Sequence, residues 1–269
     1  MSPSLARLLH ETDRIFESAR NLLFPPVCPL CRADTVVPDT LCQSCWTETA
    51  FLDGPGCQYC GYPMDAGLFG ADDLICENCL RFPKLWRRGR AVFRYEGAGR
   101  RLVLGLKHGD RIDRVPLLAR LAIRTAGPLL QEPAVLVPIP LHWRRRLKRR
   151  ANQTAELARA MARQRPGLTF APRALLRARN TGSQDGKNRA ARIENIREAF
   201  QPGPEASALS DRRVLLIDDV LTTGATLNEA TRSCLALGAT SVDVIVLALV
   251  VHDRRPYIGA EQEDGDETS

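Results

Sequence analysis

Apolar residues fall into two textures along this chain. From Gly89 onward, short contiguous apolar runs alternate with stretches in which apolar positions recur every three or four residues. The first kind reads as strands buried on both faces, the second as amphipathic helices. The pattern predicts strands at residues 91–95, 134–139, from 214 into the acid pair at 218–219, and 242–250, with short extended pieces at 173–178 and from Ala199-Phe200. It predicts helices at 99–106, 115–126, 152–164 and 225–237, the last stopped by Gly238. Strands separated by helices imply an α/β domain on a parallel sheet. Such sheets bind their ligands at the carboxyl ends of the strands.

Before Gly89 the pattern differs. Ser4 can cap a helix whose positions Leu5, Leu8, Leu9, Thr12, Ile15, Phe16, Ala19 and Leu23 fall near one stripe, until Pro25-Pro26 ends it. Residues 27–88 have few long apolar stretches and many turn formers. At their end, Leu80, Phe82, Leu85 and Trp86 are placed to pack this region onto the domain that follows. The expected organisation is an N-terminal amphipathic helix (1–26), a cysteine-rich module (27–88), an α/β domain (89–255) and an acidic, disordered tail (256–269).

Composition adds the chemistry of the module. Eight of the nine cysteines form four CxxC pairs: Cys28/Cys31, Cys42/Cys45, Cys57/Cys60 and Cys76/Cys79. In a reducing compartment this spacing means metal before disulfide. Two intervening residues let one tight turn aim both sulfurs at one ion, and four thiolates close a tetrahedron around Zn²⁺. Sequential pairing, with 28, 31, 42 and 45 on one ion and 57, 60, 76 and 79 on another, is the simplest assignment; spacing also permits interleaving. Four ligands leave no open position for water, so the zinc is structural, supplying on the order of 10–16 kcal/mol per site to a segment with little core of its own. Cys234 falls with Leu227, Ala230 and Leu237 at helical spacing and reads as a core thiol.

The net charge of +7 is unevenly spread. Five acids and no base lie between Glu261 and Glu267, so the remainder carries about +12. Its densest run is Arg144, Arg145, Arg146, Lys148, Arg149 and Arg150, suited to a polyphosphate or a nucleic acid. With fifteen aromatic residues, a long base-stacking platform is not expected, and any affinity for DNA would be electrostatic. The longest uncharged apolar run, Val244 to Val251, is too short to cross a membrane. Arg7, Glu11, Asp13 and Arg14 interrupt any signal-peptide layout. A cytoplasmic protein without membrane insertion is expected.

The most informative stretch is residues 214–226, VLLIDDVLTTGAT. Four apolar residues run into Asp218 and Asp219; Val220 and Leu221 follow, then Thr222, Thr223, Gly224, Ala225 and Thr226, and a helical pattern begins. Paired carboxylates can accept hydrogen bonds from vicinal hydroxyls. A loop opening a helix can hold a phosphate on backbone N–H groups, and Gly224 permits positive φ or close backbone approach. This order resembles the 5-phosphoribosyl 1-pyrophosphate (PRPP) signature of type I phosphoribosyltransferases. By that resemblance, Asp218 and Asp219 face the ribose hydroxyls and residues 222–226 wrap the 5′-phosphate. The segment Pro138-Ile139-Pro140, at the end of another strand, is similar to the loop that holds pyrophosphate in this fold, with Arg144 as a partner. The polar stretch 177–200 resembles the mobile cover of that fold. Gly182 to Lys187 is one residue short of a P-loop and lacks a strong preceding strand.

The whole order resembles the ComF family of competence-associated, phosphoribosyltransferase-like proteins. The residues that carry this are the CxxC module with Cys60-Gly61-Tyr62-Pro63, Leu106-Lys107, VPIPLHWRRRLKRRANQTAELA from Val137, Thr181 and Gln184 after Arg177 or Arg179, then Arg192, Asn195 and Ala199-Phe200, and the signature. Family members often carry Gly-Phe where Arg150-Ala151 stands here. The resemblance implies a PRPP site working with Mg²⁺, transfer of the phosphoribosyl group to an unidentified acceptor, and a link to DNA uptake and natural transformation. Lys107 and Arg192 are expected to add positive charge near the site. The alternative is a non-catalytic factor that keeps the fold and binds single-stranded DNA or a DNA-translocating helicase.

Overall fold

A computed structural model describes residues 25–65, 74–108, 111–131, 133–140, 152–177 and 199–251. The N-terminal helix expected up to Leu23, the basic run from Arg144, Arg192, the stretch 178–198 and the acidic tail lie outside them.

The elements are α1 (Gln43–Glu48), α2 (Glu77–Arg81), β1 (Gly89–Arg94), α3 (Gly97–His108), α4 (Val115–Thr125), β2 (Val135–Pro138), α5 (Gln153–Gln164), β3 (Thr169–Phe170), β4 (Leu175–Arg177), β5 (Phe200–Pro202), β6 (Arg213–Leu221), α6 (Ala225–Ala236) and β7 (Ser241–Leu249). Five strands form one parallel sheet in the order β1-β7-β6-β2-β3. The parallel α/β architecture expected from the sequence is therefore present.

Both faces of this sheet are covered, which is why its central strands are continuous apolar runs. Alternate residues serve opposite layers. Leu215, Ile217, Ile245 and Leu247 pack with Leu102, Leu118, Leu157 and Met161 of α3, α4 and α5. Val214, Leu216, Val244 and Val246 pack with Leu227, Ala230 and Cys234 of α6. Cys234 is thus the core thiol its spacing implied, and burial pushes it up to about 12.

The cysteine-rich module lies along the β1 edge. Residues 50–52 run antiparallel to β1: the Leu52 N–H donates to the Val92 carbonyl at 3.0 Å and the Arg94 N–H to the Ala50 carbonyl at 2.8 Å. An open sheet edge is a template for unwanted pairing, and here the module occupies it. Trp86, 1% exposed, packs the module onto the α/β domain as expected, whereas Leu80 and Leu85 are exposed. Those two follow the apolar pattern but face away from the contact.

Three other details differ from the sequence reading. β6 runs two residues beyond the acid pair expected to end it, to Leu221, because β7 pairs with it as far as Leu249. α3 begins two residues early and runs past Leu106 to His108. β4 and β5 pair antiparallel with each other, off the main sheet, and the edge strand β3 has no signal in the apolar pattern.

Asp243, at the start of β7, fastens the linker between module and sheet. Its side chain is 3% exposed and accepts from Arg87 Nε (3.1 Å) and a terminal nitrogen (2.7 Å), from Arg213 (3.0 Å) and from the Arg88 N–H (3.2 Å). Deleting a buried acceptor of this kind typically costs about 3 kcal/mol. Asp243→Ala is expected to lower the urea midpoint accordingly; an unchanged midpoint would show that the cluster is dispensable.

Candidate functional site

β6 carries Asp218 and Asp219 to the carboxyl end of the sheet, where both are half-buried. The neighbouring β2 ends in register with them: Pro138 lies opposite Ile217, and the Ile139 N–H donates to the Ile217 carbonyl at 2.9 Å. Pro138, Ile139 and Pro140 are buried beside the acids. Asn152 accepts from the Thr154 N–H as the N-cap of α5 and donates to the Ile139 carbonyl at 3.4 Å, tying that helix start to this segment.

The two acids are in different electrostatic states. Asp219 Oδ2 lies 3.1 Å from Lys107 Nζ, so the last turn of α3 delivers a cation to the pair. Asp218 is pushed up to about 7, first by burial and then by the charge of Asp219. The Asp219 N–H, which donates to Asp218 Oδ1 at 2.8 Å, opposes this, as do the charges of Lys107 and Arg177. Two adjacent carboxylates thus share charge unequally, one held by a lysine and one able to take a proton near neutrality.

The loop after β6 turns on Gly224. Its φ of +80° is left-handed, a conformation that glycine adopts without strain, and it is the residue from which α6 starts. The Ala225 N–H donates to Thr223 Oγ1 at 3.4 Å, and the Asn228 N–H to the Gly224 carbonyl at 2.8 Å. Thr222 is exposed; Thr223, Ala225 and Thr226 are half-buried. The first N–H groups of a twelve-residue helix therefore face the loop, an arrangement that favours an anion.

The structure thus brings Asp218, Asp219, Lys107, residues 138–140 and residues 222–226 to one end of the sheet. Arg144 and Arg192 lie outside the described residues. Sequence reasoning gave no role at this place to Asn152, Asn228 or Lys84. Arg177 enters the sequence reading as the start of the polar stretch and as one of two candidates for the Arg of a family element, with no role assigned beside the acids. Asn152 had a usable signal, since Asn before an apolar-periodic run marks a helix cap.

The cysteines form two clusters with sequential membership: Cys28, Cys31, Cys42 and Cys45, then Cys57, Cys60, Cys76 and Cys79. Within each, the sulfurs all lie within 4.8 Å of one another. Cys31 and Cys42 sulfurs are 3.5 Å apart, and those of Cys60 and Cys76 3.7 Å. A Zn²⁺ tetrathiolate with bonds of ~2.3 Å has sulfur–sulfur edges of ~3.8 Å, so both clusters fit that ion.

The halves of each site are built alike. One pair sits on a knuckle closed by a hydrogen bond to the first cysteine's carbonyl, from Arg32 N–H (2.9 Å) or Gly61 N–H (2.8 Å), and both closing residues have positive φ. The other pair sits at the start of a short helix, with Cys42 and Cys76 as the N-caps of α1 and α2. Although burial works against it, backbone hydrogen bonds from Cys31, Cys42 and Leu30 hold the Cys28 thiol down to about 6. The thiolate needed for metal is favoured there.

Comparison with known proteins agrees with both halves. Residues 19–80 match the double zinc ribbon domain, and residues 151–263 match the phosphoribosyl transferase domain. A zinc ribbon pair joined to a phosphoribosyltransferase-type domain is the class of protein that fold and sites define. The chain is 30% identical over 231 residues to the DNA utilization protein YhgH of Escherichia coli K12, covering 83% of this chain and 96% of that protein. It is 29% identical over 229 residues to competence protein F of Haemophilus influenzae, covering 82% and 96%. It is 28% identical over 211 residues to competence protein ComFC of Bacillus subtilis, covering 78% and 84%. The chain belongs to the ComF family. Among the described residues, no helix is long and apolar enough to cross a membrane.

Two outcomes follow from this geometry. Elemental analysis of the purified chain is expected to give two zinc ions, and Cys57→Ser one; a single ion in the wild type would contradict the paired clusters. A carboxyl-carbon NMR titration is expected to place Asp218 near 7, and Asp219→Asn to lower that midpoint by removing the like charge. Because Asp218 is raised above its unfolded value of about 4, its contribution to stability is complete below that value and is lost as pH rises through 7. A flat contribution of this group between those limits, or a midpoint near 4, would contradict the assignment.

Proposed function

We propose that this chain binds PRPP with Mg²⁺ at the end of β6 and transfers the phosphoribosyl group to an acceptor, as a pentosyltransferase. The observation that carries this reading is the junction of Asp218-Asp219 with the left-handed Gly224 that opens α6. The acids accept from the ribose 2′- and 3′-hydroxyls. The N–H groups of residues 222–226 hold the 5′-phosphate. Residues 138–140 flank the pyrophosphate, with Arg144 as a partner, and Lys107 and Arg192 add positive charge.

Transfer would break the bond between ribose C1 and the pyrophosphate oxygen, which keeps the electron pair. A nitrogen nucleophile forms the new bond to C1 and gives up its proton. The transition state has oxocarbenium character, so the protein's part is positioning and charge stabilisation. The two carboxylates offer the hard oxygen donors that Mg²⁺ prefers, and the ion would neutralise the departing pyrophosphate.

The names of the relatives support a link to DNA uptake and use, and the cysteine chemistry supports a reducing, cytoplasmic setting. A second reading rests on the charge of about +12 outside the tail. In it the PRPP fold is kept without catalysis, and the chain binds single-stranded DNA or a DNA-translocating helicase.

Calorimetric titration with PRPP and Mg²⁺ tests the site. Asp218→Ala with Asp219→Ala is expected to weaken binding at least tenfold, since hydrogen bonds to charged acceptors typically contribute about 1.5–3 kcal/mol each. Equal affinity in wild type and variant would remove the assignment. PRPP binding without pyrophosphate release, accompanied by DNA binding that falls steeply with salt, would favour the second reading.

A further inference from the structure

The second tetracysteine cluster touches the phosphate loop through a strap of four residues, Pro83 to Trp86. Lys84, 9% exposed, points its Nζ at the Thr223 carbonyl, 3.4 Å away. The peptide between Thr223 and Gly224 is trans. In a trans peptide the C=O and N–H point in opposite directions. A cation that fixes the Thr223 carbonyl from the strap side therefore turns the Gly224 N–H to the other side.

Two further contacts hold the strap in place. Asn228, in α6, clasps it at both ends: its Oδ1 accepts from the Leu85 N–H at 2.9 Å and its Nδ2 donates to the Pro83 carbonyl at 3.4 Å. The Trp86 ring lies 3.0 Å from where a side chain on Gly224 would begin, and Lys84 Nζ 3.6 Å from it. Trp86 Nε1 in turn donates to the Tyr59 carbonyl at 2.7 Å, and Tyr59 sits inside the Cys57–Cys60 knuckle. Both halves of the cluster thus reach the loop through consecutive contacts. The Cys57–Cys60 knuckle meets Trp86, which lies against Gly224; Cys76 and Cys79 lead through α2 to Lys84, which reaches Thr223. The first cluster has a different setting, since Cys28 and Cys45 pack with the helices of the opposite face.

We infer that Lys84 is a positioning residue of the ribose-phosphate site, and that metal in the second cluster and ligand on the loop stabilise each other through this strap. The inference rests on the reading that residues 222–226 hold a phosphomonoester. Linkage makes the effect reciprocal: if the loaded cluster favours the binding form of the loop, a phosphate on the loop must retain the metal.

The test uses the full chain loaded with zinc and ribose 5-phosphate as the probe. By calorimetry, Lys84→Met is expected to weaken ribose 5-phosphate binding by roughly tenfold, with Lys84→Arg restoring most of it at an equal unfolding midpoint. Asn228→Ala, which opens the clasp and leaves Lys84 in place, is expected to weaken binding in the same direction. Zinc release to a chromogenic chelator provides a second readout. Saturating ribose 5-phosphate is expected to slow release of one ion. That protection should survive Cys31→Ser, which disables the first cluster, and vanish in Cys60→Ser, which disables the second. If wild type binds, Asp218→Ala does not, and Lys84→Met and Asn228→Ala bind as wild type, the inference falls and the site reading stands. Equal protection of both ions, or of neither, would also overturn it. If wild type itself does not bind ribose 5-phosphate, the site reading fails and takes the inference with it.

Discussion

A strand with partners on both sides cannot slide along its axis without breaking two ladders at once. β6 is such a strand: it pairs with β2 from Val214 to Ile217 and with β7 from Arg213 to Leu221. Its alternate side chains are also committed to different layers, so a one-residue slip would exchange every core contact. The depth of Asp218 and Asp219 at the end of the sheet follows from this double commitment. So does the starting point of the turn at Gly224. The acids need not be held by the loop, and the loop need not be held by the acids; both inherit their place from a strand that cannot move.

The same logic explains why a cysteine-rich module with little core of its own belongs to this architecture. Its two clusters add their thiols to opposite layers: Cys28 and Cys45 to the side of α3–α5, and Cys57, Cys60, Cys76 and Cys79 to the side of α6. Between them, residues 50–52 lie along β1. Metal thus supplies rigidity where chain length cannot, and the rigid piece is used to finish a sheet. Asp243 and its guanidinium partners fasten the junction from the opposite end of the strands.

What could be read in advance followed from local physics. The acid pair was visible because four contiguous apolar residues precede it. The left-handed turn was visible because a glycine stands where a helix must begin. The clusters were visible in their spacing, although only the sulfur positions separate sequential from interleaved pairing. Position along the chain could not reveal what depends on meetings between distant residues. Lys84 and Thr223 are 139 residues apart, and a lysine just after a zinc knuckle looks like any solvated charge. Leu80 and Leu85 carried the right apolar character and the wrong orientation. Thr169-Phe170 is too short to show a period, and β4 with β5 could be recognised as extended but not as each other's partners.

Gly89 has a consequence for how this architecture can be taken apart. A side chain there would collide with the Tyr59 carbonyl, and the Gly89 N–H already donates to Gln58 at 2.7 Å. The crossing from ribbon to sheet therefore has no slack, and the ribbon is no detachable cartridge. Amputating it would strip β1 of its cover and bare a row of backbone donors and acceptors to any passing chain, so the severed α/β half would be a seed for polymers.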